Sequence, residues 1–401
     1  MQDLTPEKAL TYYLVGGAVR DSLLNWPYHE CDYVVVGSDV DTMISLGFQQ
    51  VGKDFPVFLH PVTKEEYALA RTEKKQGKGY TGFVCYASPD VTLEQDLLRR
   101  DLTINAIAKG VDGNLVDPYN GQEDIKNKIL RHVSPAFSED PLRVLRVARF
   151  AARYHNLGFT VAPETIALMQ DISSSGELNS LAAERVWKET EKALAEQHPA
   201  TYFDVLHQSK ALTALFPELD AIWQDDNFAC KQAAKAALIA ASSLSQNIDI
   251  RFAAMCHAIT SNSVNEINTE TNLVKQMCER IKVPNQTKLL AIQVHQHVKQ
   301  ILDVQHLSPK AILTLFNQLD IWRKGEFFVQ VITTCQAISL ASTENKDHFT
   351  QGENLLKLAE QTRQVQAKPF VEQGLQGLEI KKAISAKRLE LIEQSTLFQI
   401  Q

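Results

Sequence analysis

Through the first third of the chain, apolar residues come in short runs separated by turn residues. Tyr12–Val15 (YYLV) and Tyr33–Val36 (YVVV) are brief and rich in aromatic and β-branched types, and EEYALAR alternates around Tyr67 and Leu69. Such runs predict strands. The segment VDGNLVDPYNG, Val111 to Gly121, carries the Asp-Gly and Pro/Asn/Gly punctuation of a hairpin followed by a turn. From about Asp140 the pattern changes: Gly and Pro become sparse, and Ala, Leu, Glu, Lys and Gln dominate at helical spacing to the end. SSSGELNSL and SSLSQNIDI read as connections between helices. Sheet segments followed by helices predict an α+β protein, with a mixed-sheet head and an all-helical remainder.

One strand has an unusual entrance. In HECDYVVVG, His29 to Gly37, two carboxylates precede a buried apolar run. Residues two apart on a strand share a face, so Glu30 and Asp32 project together above Val34, with Cys31 packing on the other side. Two carboxylates on one face suit Mg²⁺, which takes oxygen ligands and keeps water and substrate phosphates in its shell. Alone, such a pair is more often a solvated strand entrance. Upstream, however, LVGGAVRDSLL runs a strand into Gly16-Gly17 and then a helix. Paired glycines let a backbone approach a phosphate, and a helix N-terminus offers free N–H groups. Arg20 in that first turn is disfavoured by the helix dipole unless an anion sits there. Together these residues point to nucleotidyl transfer.

Three further segments carry candidate chemistry. RRDLTINAIA, Arg99 to Ala108, reads as two arginines and a carboxylate before a small apolar helix. Arg100 can take phosphate oxygens bidentately, and Asp101 and Asn105, four apart, would share a helical face. RTEKKQGKGYTGF, Arg71 to Phe83, reads as a mobile basic loop with Tyr80 and Phe83 available for stacking. Glu65 or Glu66 offers a third carboxylate near the metal pair. EDPLRVLRVARFAARY predicts a helix opened by Pro141, with Arg143, Arg146, Arg149 and Arg153 on one stripe and Val144, Leu145, Val147, Ala148, Ala151 and Ala152 opposite. Arginine without lysine favours planar recognition over simple solvation.

Composition narrows the classes. The 401 residues carry a net charge of −7, so the chain is no basic nucleic-acid coat, and polyanion binding needs a local positive patch. The six cysteines are scattered without a CxxC pair, which suits reduced thiols in a cytosolic protein. No apolar run is long enough to span a membrane, and the start MQDLTPEKAL does not read as a signal peptide. The expectation is a cytoplasmic protein without membrane association, most simply a monomer.

In their order, LVGGAVRD…ECDYVVVG, RRDLTINAIA and EDPLRVLRVARF resemble the motifs of the class II tRNA nucleotidyltransferases, CCA-adding enzymes of the polymerase-β-like superfamily. The match is close over residues 12–200 and nearest the gamma-proteobacterial type. It implies a catalytic head (1–138), a base-reading neck (139–200), a helical body (201–290) and a tRNA-binding tail (291–401). It also implies Mg²⁺ held by Glu30 and Asp32, and a tRNA 3′ end, CTP and ATP as partners. Nucleotide binding would fall to Gly16, Gly17, Arg20, Arg100, Asp101, Asn105, Asp140, Arg143, Arg146 and Arg149, with the Arg99–Ala108 segment on triphosphate and sugar. AERVWKETEKAL, Ala183 to Leu194, carrying Glu184 and Arg185, resembles the family's next motif, supporting the helix of EDPLRVLRVARFAARY in a structural role.

Asp140 and Arg143, three apart, can face one pocket. A carboxylate accepts and a guanidinium donates. Cytosine and adenine each present an amino donor beside a ring-nitrogen acceptor, whereas uracil and guanine reverse both polarities. One Asp–Arg pair can therefore accept C and A and reject U and G.

Two positions depart from the family pattern. Glu30 stands where Asp is usual and adds one C–C bond, about 1.5 Å; a catalytic group misplaced by about 1 Å can cost roughly 10²-fold. His257 is followed by Ala258 where gamma-proteobacterial relatives carry the His-Asp of a phosphohydrolase, and His295 and His297 face apart on a helix. The expectation is a degenerate hydrolase region over about 225–340, without that activity. Alternatives are a partial CC- or A-adding enzyme, a poly(A) polymerase, and a catalytically weakened tRNA-end binder. The Asp140–Arg143 argument makes UTP a poor substitute for CTP at the first added position; incorporation of UTP as readily as CTP would overturn it.

Overall fold

The computed structural model describes residues 6–28, 30–51, 56–75, 83–224, 228–260, 267–342 and 349–395. The chain divides into two compact units, Met1–Thr190 with Thr201–Leu215, and Glu191–Ala200 with Phe216–Gln401.

The first unit opens with β1 (Thr11–Val15), α1 (Gly17–Leu23), β2 (Asp32–Val36), α2 (Val40–Ser45), β3 (Gln49–Val51), β4 (Val57–Leu59) and β5 (Glu66–Leu69). A ribbon of β6 (Thr72–Lys75) and β7 (Phe83–Tyr86) follows, then α3 (Leu93–Leu98), β8 (Ala108–Gly110) and β9 (Leu115–Val116). The main sheet is mixed, in the order β3-β4-β5-β2-β1-β8-β9. β1, β2 and β5 are the strands that the sequence pattern predicts, β3 and β4 are not among those it marks, and β8–β9 is the expected hairpin, with Gly113 in the left-handed region at φ 83°. Period-two alternation sorts the two faces. Val15, Val34, Ala70, Ala106 and Ala108 join Val91, Leu93 and Leu97 in one core. Val35, Phe58, Tyr67 and Leu69 join Met43 and Phe48 in the other. There the rings of Tyr33 and Tyr67 stack at 4.6 Å.

Beyond the sheet come α4 (Gly121–Asn127), β10 (Ile129–Leu130), α5 (Leu142–Arg153), β11 (Thr160–Val161), α6 (Pro163–Ser174) and α7 (Ala183–Ala195), followed by α8 (Ala200–Gln208) and α9 (Ala211–Leu215). β10 and β11 pair in parallel. α5 starts beside Pro141 as predicted, and its Val144, Leu145, Val147 and Ala148 are fully buried.

One expectation fails here. RRDLTINAIA does not form an α-helix; a 3-10 turn at Thr103–Asn105 leads into β8. The reason is burial on every side. Leu102, Ile104, Ala106 and Ile107 are completely inaccessible, so tertiary partners replace helical hydrogen bonds. Thr103 N–H donates to the Arg131 carbonyl at 2.9 Å and Thr103 Oγ1 to Asp124 at 2.7 Å.

The second unit is helical: α10 (Pro217–Trp223), α11 (Phe228–Leu244), α12 (Ile248–Cys256), α13 (Ile267–Arg280), α14 (Asn285–Leu302), α15 (Pro309–Gln318), α16 (Gly325–Ala341), α17 (Thr350–Arg363), α18 (Lys368–Glu372) and α19 (Leu378–Gln394). α11, α12, α14 and α16 pack on one another, and α15 on α19. SSLSQNIDI is the α11–α12 connection, with Asn247 capping α12. Arg251 is 1% exposed and serves the carbonyls that helix ends leave without partners. Its guanidinium donates to the carbonyls of Leu194 (2.7 Å), Glu196 (2.9 Å), Ser245 (2.9 Å) and Ser242 (3.3 Å), and to Gln246 Oε1 (3.0 Å). Removing it strands several buried acceptors, each costing about 1–3 kcal/mol. Arg251→Ala should destabilise the second unit by about 3 kcal/mol or more, read as a lowered midpoint of its denaturant unfolding.

Candidate active site

A cleft of about 640 Å³ opens in the first unit, and every residue singled out as catalytic or nucleotide-binding lines it: Gly16, Gly17, Arg20, Glu30, Asp32, Arg100, Asp101, Asn105, Asp140, Arg143, Arg146 and Arg149. Nine arginines and five carboxylates line it in all, the local positive patch that an acidic chain needs to meet a polyanion.

The floor is built by sheet register. β1 ends at Val15, paired with Asp32, and turns into α1 through Gly16 at φ 69°. A side chain there would be strained and would meet Arg100 Nη1 at 3.1 Å. Asp32 pairs in turn with Glu66 on the parallel neighbour β5. This register selects between the two glutamates considered for a third carboxylate. Glu66 lines the cleft, whereas Glu65 accepts a hydrogen bond from Thr63 Oγ1 at 2.8 Å. Loss of solvent raises the pKa of Asp32; Arg100 opposes this and the Glu30 carboxylate adds to it. Among the described residues, no three His, Cys, Asp or Glu group as a self-sufficient metal site. Glu30 and Asp32, with Glu66 beside them, nevertheless fit Mg²⁺, which binds through one or two carboxylates and completes its shell with water and phosphate.

The walls are a network of countercharged arginines. Arg20, 5% exposed, donates to Asp21 at 2.8 Å and to Asn105 Oδ1 at 2.5 Å. Asn105 Nδ2 donates to Asp101 Oδ1 at 2.9 Å, so the predicted neighbours do meet, across the 3-10 turn. Asp101 Oδ2 accepts from Arg146 Nε at 2.8 Å and Nη2 at 2.7 Å. Further along α5, Arg149 pairs with Glu189 at 2.7 Å and Arg153 with Asp21 at 3.3 Å. Arg99 and Arg100 both bind the inaccessible Asp96, at 2.8 and 3.2 Å. The stripe of α5 is therefore a set of partnered guanidiniums, with Arg143 and Arg149 themselves buried.

Asp140 and Arg143 both line the cleft, each held from outside the pair. Arg143 donates from Nη1 to the Ala136 carbonyl at 2.7 Å and from Nη2 to the Arg99 carbonyl at 2.6 Å. Asp140 Oδ1 accepts from Leu142 N–H at 3.1 Å, and Oδ2 accepts from Arg185 Nη2 at 3.1 Å. Arg71, Arg99, Arg153 and Arg185 line the cleft too, beyond the predicted set. The stripe spacing already contained Arg153, and Arg185 lies in the AERVWKETEKAL motif, for which the sequence predicts only a supporting structural role. The basic loop over Arg71–Phe83 falls largely on residues 76–82, which with Tyr80 lie outside the described residues, as does His29.

In the second unit, His257 Nδ1 hydrogen-bonds the Ala254 carbonyl at 2.6 Å, and burial lowers the pKa of both His257 and His295. His297 Nδ1 meets Gln300 at 3.0 Å.

Asp101 gives the cleft a pH signature. Burial alone would raise its pKa, but the Arg146 guanidinium, Asn105 and Arg143 outweigh burial and hold it well below the ordinary carboxylate value. A depressed native pKa contributes stability that is complete above the unfolded value, about pH 4, and is lost as pH falls below it. Asp101→Asn should therefore cost about 2 kcal/mol at pH 7, and the gap to wild type should narrow as pH falls below about 4, followed by thermal unfolding.

Comparison with known proteins follows the same lines. Residues 12–131 match the family model described as the Poly A polymerase head domain. Residues 158–222 match that described as "Probable RNA and SrmB-binding site of polymerase A". A multifunctional CCA protein of Tolumonas auensis is 49% identical over 395 residues, which is 94% of this chain and 96% of that one. A Bacillus stearothermophilus CCA-adding enzyme in complex with CTP shares the fold at TM-score 0.66 and 21% identity, over 97% of this chain and 90% of that one. A Thermotoga maritima CCA-adding enzyme complexed with tRNA matches at TM-score 0.66 and 18% identity, over 97% and 89%. With the mixed-sheet head, the helical remainder and the lined cleft in place, the chain belongs to the class II CCA-adding tRNA nucleotidyltransferases.

Proposed function

We propose that this protein adds C, C and A to tRNA 3′ ends from CTP and ATP, without a nucleic-acid template, in the cytoplasm. The observation that carries this reading is the convergence of the paired carboxylates, the Gly16–Gly17 turn and the arginine wall on one cleft. The tRNA 3′-OH attacks the α-phosphate in line; a new P–O bond forms as the α–β P–O bond breaks, and pyrophosphate leaves. Glu30 and Asp32 hold Mg²⁺, which when bound supplies charge neutralisation at the transferring phosphoryl group. The Gly16–Gly17 turn, Arg20 and Arg100 receive the triphosphate, and Asp101 and Asn105 face the sugar. Asp140 accepts from the exocyclic amine of C or A, and Arg143 donates to the ring nitrogen. The partnering of the arginines supports this, since donors held in place need no reorganisation when charge arrives.

We assign residues 1–138 to the head, 139–200 to the neck, 201–290 to the body and 291–401 to the tail, with tRNA binding in the tail. The helical part carries no phosphohydrolase activity: His257 stands before Ala258 and spends Nδ1 on a backbone carbonyl.

The test is nucleotide addition to a tRNA ending at the discriminator base, with Mg²⁺ and CTP alone, ATP alone, or both. Wild type should complete CCA only with both nucleotides. Asp32→Ala should lower the rate at least 10²-fold, whereas Glu30→Asp should stay active. Addition that survives Asp32→Ala would overturn the metal assignment. A wild type that adds nothing until Glu30→Asp restores it would make this a tRNA-end binder.

A further inference from the structure

AERVWKETEKAL, with Glu184 and Arg185, reads as a structural support, yet the Arg185 guanidinium is on the Asp140 carboxylate. We infer that Arg185 is a specificity-determining positioning residue that fixes the plane of the Asp140 carboxylate. This inference rests on Asp140 reading the base, as proposed above.

Asp140 lies ahead of the first turn of α5, at φ −115°, where the helix ladder does nothing to hold its side chain. Two contacts orient the carboxylate. Leu142 N–H reaches Oδ1 and Arg185 Nη2 reaches Oδ2, each at 3.1 Å. Two fixed oxygens define a plane; one would leave it free to turn. The pair sits on the cleft wall with side chains 22% and 25% exposed, open enough for a base to share Oδ2. Arg185 is itself on firm ground. One turn on, Glu189 binds Arg149 of α5 at 2.7 Å, and the next residue, Thr190, meets Tyr202 at 3.0 Å. Arg143 is braced separately, on the Ala136 and Arg99 carbonyls. Acceptor and donor are thus held by groups outside the Asp140–Arg143 pair.

The consequence is selective. An ionised carboxylate only accepts, so it bonds the amino groups of cytosine and adenine and opposes the carbonyl oxygens of uracil and guanine. A carboxylate free to turn leaves the plane of the base, loses its bond to the amino group and no longer opposes those carbonyls. Arg185 blocks that turn by pinning one oxygen.

The experiment measures kcat/KM for CTP and UTP at the first position of a tRNA ending at the discriminator base. Wild type, R185Q, R185K, D140N and D140N/R185Q are compared. R185Q should lower the CTP:UTP ratio about tenfold. R185K keeps the charge but not the planar fork and should lower it about threefold. In the D140N background R185Q should change the ratio no further, because its effect runs through that carboxylate. Equal losses for CTP and UTP in R185Q, or a further fall in the double variant, would show a merely structural role and overturn the inference. If R185Q does not fold, an unchanged ratio in R185K overturns it instead. A wild type that adds neither C nor A overturns the proposed function itself, and this inference with it, a result distinct from the loss of selectivity alone.

Discussion

An acidic chain that gathers nine arginines around one cleft must first stop them repelling each other. The solution centres on Asp101. Its buried carboxylate takes Arg146 on one oxygen and Asn105 on the other, and Asn105 passes the connection to Arg20. Arg20 and Arg153 then meet again at Asp21, which also accepts from Tyr154 at 3.0 Å. The turn after β1, the segment before β8 and the helix α5 are joined through one polar circuit. Buried ion pairs of this kind are expensive to desolvate and add little net stability, but breaking one side leaves an uncompensated charge. The circuit therefore dictates arrangement more than it adds stability.

That arrangement is what phosphoryl transfer asks of a protein. The reaction needs little covalent help and much positioning of charge. A guanidinium carries five donors, and a carboxylate partner occupies one or two of them. Partnering thus aims each arginine while it retains capacity to bond an arriving phosphate or base. The Asp140–Arg143 end of the cleft follows the same economy, with Arg143 tethered to backbone carbonyls and Asp140 to α7.

Much of this was legible in the sequence. Period-two alternation located β1, β2 and β5, Asp-Gly located the β8–β9 hairpin, and Pro141 with the arginine stripe located α5. The ordered motifs named the family. What failed did so for definable reasons. Asp101 and Asn105 are four apart, which fits a helical face, but the apolar residues around them are buried on all sides, and tertiary hydrogen bonds displaced the helix. Arg185 and Asp140 are 45 residues apart, and no local spacing couples them. Glu65 and Glu66 could be separated only once the β2–β5 register was known.

The same register has a consequence for how such a protein tolerates changes in length. Asp32 faces Glu66 because β5 meets β2 at one alignment out of several that its backbone hydrogen bonds would accept. Moving β5 along by a single residue would send Glu66 to the rear face, Tyr67 into the cleft and Glu65 into the place beside Asp32. The aromatic stack of Tyr33 on Tyr67 on the far side penalises that slip, because it would be broken at once. Insertions or deletions near β5 are thus sorted by parity. A slip that preserves it keeps every side chain on its own face but moves Glu66 off Asp32 and Tyr67 off Tyr33, and one that changes it also exchanges the two faces. The hydrophobic side of the sheet acts as a proofreader for the chemical alignment on its other side.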